Sequence, residues 1–133
     1  MKPSLASRFF ARVVDVVLIS ALAVGYGIPL HFNILWLLTA APLIWLYFAG
    51  CLAAWGQTAG KRLFHIRVQS ESGQPPMLLN ALKREAFIFA GAIPFVGPLL
   101  SLASWIWFGV TIPRDPEGKG PHDRWAGTTV LAD

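Results

Sequence analysis

Asp15 interrupts a run of apolar residues, seven positions after Arg8 and three after Arg12. If that run is helical, the seven-residue step returns Asp15 to within ~20° of Arg8 and sets it ~10 Å deeper along the axis. Ala11 shares the face, so Arg8, Ala11 and Asp15 form a polar stripe relieved by one small residue. Arg8 and Asp15 are too far apart to pair comfortably within one helix. Asp15 can meet Arg12 at i−3, or the stripe can receive charges from another segment. An acid placed this way suits a proton or cation site, and it equally suits an ion pair that only orients helices. A lone carboxylate in hydrocarbon costs ~2.5–3.5 kcal/mol or more, so either role demands a partner or a polar cavity.

Two further clusters carry polar chemistry. Gly56-Gln57-Thr58-Ala59-Gly60-Lys61-Arg62 invites comparison with a phosphate-binding loop. It lacks one spacer residue, Arg62 stands where Ser or Thr should hold magnesium, and no buried strand precedes it. The plainer reading is a tight turn whose glycines let the backbone approach the membrane surface. His122-Asp123-Arg124-Trp125-Ala126-Gly127-Thr128 is the second cluster. Asp123 there is expected to accept a salt bridge or hydrogen bonds from a basic partner such as Arg8, Arg62 or Arg84. The alternative is a surface turn with Trp125 at the interface.

Other chemistries find no support. No G-x-S-x-G elbow accompanies His122 and Asp123, which argues against a hydrolase. His31, His65 and His122 are scattered and Cys51 is the single cysteine, so neither a metal site nor an internal disulfide is expected. With no complete nucleophile, metal or phosphate site, the chain reads as a non-enzyme without a cofactor. The net charge of +4 comes from basic residues flanking apolar runs rather than from a nucleic-acid footprint.

The elements that must position these residues follow from composition. Of 133 residues 55% are apolar and 14% charged, against about a quarter charged in an ordinary soluble domain. Six Trp and nine Phe add to the load. A fold this small buries too little of its chain to hide that surface from water, so lipid is the expected solvent and partner. Phe9 to Ile28 and Ile34 to Trp55 each reach the ~20 residues that cross ~30 Å of hydrocarbon. Lys2 to Arg12 and Ser20-Ala21-Leu22-Ala23 resemble a secretory leader, but Asp15 falls in its apolar centre and the run continues past the cut, so a retained helix is expected.

Within the polar middle segment, Leu63 to Val68 alternates as a short strand, and Glu71 to Pro76 ends it in a turn. Thr128 to Leu131 is also strand-like, and the two could pair as a small cytoplasmic sheet. Met77 to Ile112 reads either as a single span, Ala86 to Val110, or as two helices turned at Pro94-Phe95-Val96-Gly97-Pro98. Lys2, Arg8 and Arg12 flank the N-terminus; five more basic residues mark the middle loop and next helix start; Arg114, Lys119 and Arg124 mark the tail. The loop between the first two runs has none, which favours four helices with both termini cytoplasmic. The expected fold is an all-α membrane bundle in one domain, residues 1–133, with helices at about 5–28, 34–55, 77–93 and 97–112 and a small β pairing.

Together the three clusters resemble the RDD family of small membrane proteins. The pattern R-x-x-A-x-x-x-D is Arg8, Ala11 and Asp15; G-Q-T-x-G-K-R-L is Gly56 to Leu63, followed by Ile66-Arg67-Val68 and Gly73; H-D-R-x-A-G-T-x-V is His122 to Val130. Arg8, Asp15 and Asp123 match the arginine and two aspartates that name the family. His65 departs from the pattern, standing where a glycine often sits. The resemblance implies a bacterial inner-membrane protein, and for some members monovalent cation–proton exchange has been proposed. On that expectation Asp15 holds the proton or cation, Arg8 and Asp123 balance its charge, and the protein works as a homo-oligomer. Arg12, Gln57, Thr58, Gly60, Lys61, Arg84, His122, Arg124 and Thr128 support them. The competing expectation is a non-transporting scaffold or accessory subunit whose charges hold the fold.

Overall fold

The structure, a computed structural model, describes residues 2–93 and 95–133. Two long helices lead: α1, Leu5–Gly27, and α2, Ile34–Trp55. Ser4 starts α1 by accepting the Ser7 amide at 3.0 Å, and Asn33 starts α2 by accepting the Leu35 and Trp36 amides. Among the described residues these are the two helices long and apolar enough to cross a membrane. Both expose large apolar side chains along most of their length, among them Val17, Leu22, Leu38 and Leu43.

At the end of α2, Gly56 turns left-handed and the chain folds back as a five-residue helix α3, Ala59–Leu63, then strand β1, Ile66–Ser70. Leu63 and Phe64, expected in the strand, instead finish α3, because Phe64 and His65 close its last turn onto Gly60 and Arg62. His65 adopts φ +52°, the left-handed region that glycine enters without strain. This is the position where the family pattern often has glycine, and the tight exit from α3 into β1 is the reason.

The helix expected over 77–93 is broken. It forms α4, Leu78–Arg84, and α5, Ile88–Gly91. Between them the backbone bonds tighten from i→i−4 to i→i−3, as in Ile88 to Glu85 and Phe89 to Ala86. The tightening turns Glu85 inward. Helix α6, Gly97–Arg114, follows and packs back on α5, with Gly97 so close to the Gly91 carbonyl that a Cβ would collide with it. The chain therefore reverses after α5 as the hairpin reading expects; Pro94, part of the expected turn, lies outside the described residues.

A short helix α7, Pro121–Ala126, leads to strand β2, Thr128–Ala132, which pairs antiparallel with β1. Ile66 faces Ala132, Val68 faces Val130, and Ser70 faces Thr128. Alternation puts Ile66, Val68, Thr128 and Val130 inward, onto Ala49 and Leu52 at the end of α2, Ala81 of α4 and Ala11 of α1. The buried core thus lies in a cap at one end of the long helices. The sheet brings the tail beside the middle segment.

Candidate functional site

Asp15 is fully buried where α1 meets α3. Its Oδ1 accepts the Gly60 amide at 2.7 Å, and its Oδ2 accepts the Thr58 hydroxyl. Thr58 is the N-cap residue of α3, yet its hydroxyl caps nothing within that helix. Asp15 therefore supplies from another helix the acceptor that an N-cap side chain normally supplies. The approach depends on two small residues: a Cβ at Gly60 would strike the Ala11 carbonyl oxygen. That contact gives the spacing of Arg8, Ala11 and Asp15 its structural meaning. Neither Arg8 nor Arg12 pairs with Asp15.

Asp123 anchors a second centre, also fully buried. One oxygen meets the Arg84 guanidinium and the Thr128 hydroxyl, the latter at 3.3 Å; the other accepts the Gly120 amide at 2.9 Å, at the start of α7. Arg84 also donates to Thr128 Oγ1 at 3.0 Å. Arg8 stands further off, its guanidinium 4.0 Å from Asp123 Oδ2. Of the three partners expected for Asp123, Arg84 and Arg8 are there and Arg62 is exposed elsewhere.

Glu85 extends the second centre and was not singled out by sequence reasoning. It is 1% exposed, accepts from Arg12 at 3.0 Å and lies 3.6 Å from Arg84 Nε. Arg12 is sandwiched besides by the rings of Phe48 at 4.1 Å and Phe87 at 5.0 Å. The available signal was that Glu85 is the lone acid between Glu71 and Asp115. Its neighbours Lys83 and Arg84 made all three look like an interfacial charge run.

The remaining candidates divide. Lys61 is 9% exposed and makes no ion pair or side-chain hydrogen bond among the described residues. Burial pushes its ammonium down to about 8, Glu85 opposing and Arg12 and Arg84 adding to the fall. His122 stacks 4.3 Å from the Phe108 ring, with Nε2 3.8 Å from Asp123. Burial, then the positive charges of Arg84, Arg12, Lys61 and Arg8, holds it well below 6.5. Gln57 lies outside both centres, donating to the Ile66 carbonyl and to Asp133. Arg124 is exposed and bound to Asp115, whose carboxyl that contact holds at about 2. The expected single site of Arg8, Asp15 and Asp123 is thus two separate centres, and the chain Arg12–Glu85–Arg84 joins only the second of them.

A cavity of about 440 Å³ opens between α1 and α6 above this network, with Arg8, Arg12, Lys61, Arg84, Glu85 and His122 at its polar side. The family model described as the RDD family matches residues 2–127, nearly the whole chain, taking in the first two clusters and the third as far as Gly127. The chain belongs to the RDD family. In this RDD protein the arginine and two aspartates do not meet as a triad: each aspartate organises the start of a short cap helix, and the arginine leans toward the second. Neither a curated protein nor a solved structure matches the chain.

Proposed function

We propose that this RDD protein is a non-transporting membrane module, a scaffold or accessory subunit whose buried charges latch a polar cap onto its helices. The observation that carries this reading is the state of Asp15: both oxygens are occupied by α3 donors and no surface is left for a cation. We place the cap and both termini on the cytoplasmic side of a bacterial inner membrane, supported by the absence of Lys and Arg between the first two helices. The α5–α6 hairpin then dips into the bilayer and returns, giving a four-helix bundle that assembles with copies of itself or other membrane proteins.

A second reading, monovalent cation–proton exchange, draws on a different observation. Glu85 is a buried acid on a cavity wall, with a cation on either side. On that reading Glu85 rather than Asp15 takes the proton, and does so only when Arg12 and Arg84 move away, because, against its burial, those cations hold its carboxyl below the usual carboxylate value.

The test is cation-dependent proton flux in proteoliposomes of purified protein, beside Asp15→Asn and Glu85→Gln, with thermal unfolding in detergent. The module reading expects no flux with sodium, potassium or lithium, and a lower unfolding midpoint for Asp15→Asn. Flux from the wild type that disappears in either variant while its midpoint is unchanged would replace the module by the exchanger.

A further inference from the structure

Matching the charges around the 440 Å³ cavity leaves two cations over. Arg12 is taken by Glu85, and Arg84 by Asp123 with Thr128. Lys61 has no partner among the described residues, although its side chain is nine-tenths buried and lines the cavity. Arg8 has only the 4.0 Å approach to an Asp123 already bound by Arg84, and its buried Nε has no partner. A buried cation without a counter-ion is costly, so the arrangement suits an anion brought from outside.

The rest of the cavity is wrong for a small hydrated anion. Phe9, Phe10, Trp105 and Phe108 wall it on the side where α1 and α6 face the apolar exterior. A second cavity of about 430 Å³ shares Arg12, Phe87 and Trp105 with the first and continues along Val16, Ile19 and Ser20 of α1. The two together follow α1 from Leu5 to Ser20, about four helical turns away from the polar end. One end is cationic and the other is an apolar slot.

We propose that these cavities hold one anionic lipid, its headgroup phosphate against Lys61 and Arg8 and an acyl chain along the slot beside α1. The phosphate supplies the counter-charge that both side chains lack, and charge-assisted hydrogen bonds of this kind are strong. A zwitterionic lipid fits the slot but returns a positive charge to the cationic end. The inference holds whether the protein is a fixed module or exchanges cations.

Native mass spectrometry of the full chain in a zwitterionic detergent tests it. Phosphatidylglycerol is the probe, with phosphatidylcholine of the same chains and inorganic phosphate as comparisons, and thermal unfolding is read in parallel. Phosphatidylglycerol should be retained and raise the midpoint, phosphatidylcholine should bind about tenfold more weakly, and phosphate alone should do neither. Lys61→Gln should weaken phosphatidylglycerol about tenfold and leave phosphatidylcholine as it was. Gly109 lines the first cavity and a Cβ there meets no atom within 4 Å, so Gly109→Leu starts without a backbone clash, and where thermal unfolding shows it folded it should also lower retention. Equal binding of the two lipids, undiminished phosphatidylglycerol in a folded Gly109→Leu, or a phosphate effect matching that of the lipid would overturn the proposal.

Discussion

Asp15 caps a helix that lies 45 residues further along the chain: its Oδ1 accepts the Gly60 amide at 2.7 Å, while the Ala11 carbonyl one turn earlier sits against the Gly60 Cα. The carboxylate and the glycine are two halves of one joint. An acid in a membrane helix normally signals a substrate or ion pathway; here each of its oxygens accepts a hydrogen bond from the start of the cap helix and the side chain is fully buried.

The joint makes Gly60→Ala a sharper probe than its single methyl suggests. The added Cβ has rigid backbone in its way, so the helices must part and the Asp15 bond lengthens. A loss of about 1–3 kcal/mol is expected, the usual cost of overpacking, seen as a lower unfolding midpoint in detergent. Gly25→Ala is the control, because a Cβ there meets nothing within 4 Å, and its midpoint should not fall. Equal behaviour of the two variants would remove the joint from the account.

Arg84 and Asp123 should behave as a buried pair whose loss is lopsided. Removing one partner by Arg84→Met leaves a desolvated carboxylate and should cost about 3–5 kcal/mol. Combining it with Asp123→Asn should cost clearly less than the two single losses added together, which a double-mutant cycle on unfolding free energies would measure. Arg124→Ala, at an exposed pair with Asp115, should leave the midpoint unchanged. Additive losses at Arg84 and Asp123 would mean that the pair is not coupled.

His122 gives the cap an acid sensitivity of definite sign. Its folded value lies well below 6.5, so as pH falls the unfolded chain takes up the proton first. Its contribution to stability is complete above 6.5 and is lost as pH drops from there toward the folded value. The Asp123 contact on Nε2 works against this, but burial and four nearby cations outweigh it. The unfolding midpoint should therefore fall between pH 7 and 5 more steeply for the wild type than for His122→Gln. Parallel curves for the two proteins would assign the acid sensitivity elsewhere.

Much of this was legible from residue order. The bounds of α1 and α2 follow from apolar length, which Arg12 and Asp15 break in the first run without ending it, and the structure adds Ser4 and Asn33 as their caps. The strand alternation at Ile66 and Val68 and the β-branched run from Thr128 were equally local, and they locate the sheet to within three residues. Leu63 and Phe64 were misplaced because helix and strand both accept a short apolar run, and the turn at His65 that separates them depends on backbone angles. The helix over Met77 to Ile93 failed for a different reason. No proline interrupts it, but Glu85 and Arg84 both find buried partners, and the backbone tightens between α4 and α5 as they do so.

The sequence by itself determined that the chain has two helices long and apolar enough to cross a membrane, where they run, and that Arg8, Asp15 and Asp123 require partners. Those conclusions rest on apolar length and on the cost of an unpaired charge, which do not depend on what lies across the fold. Only the tertiary structure decided who the partners are. Arg12 reaches Glu85 across 73 positions, Arg84 reaches Thr128 across 44 and Asp15 reaches Gly60 across 45. Several nearby cations could have satisfied each acid equally well on charge alone. The choice among them was made by where backbone amides, small residues and the β1–β2 register leave room for a hydrogen bond of the right length and direction.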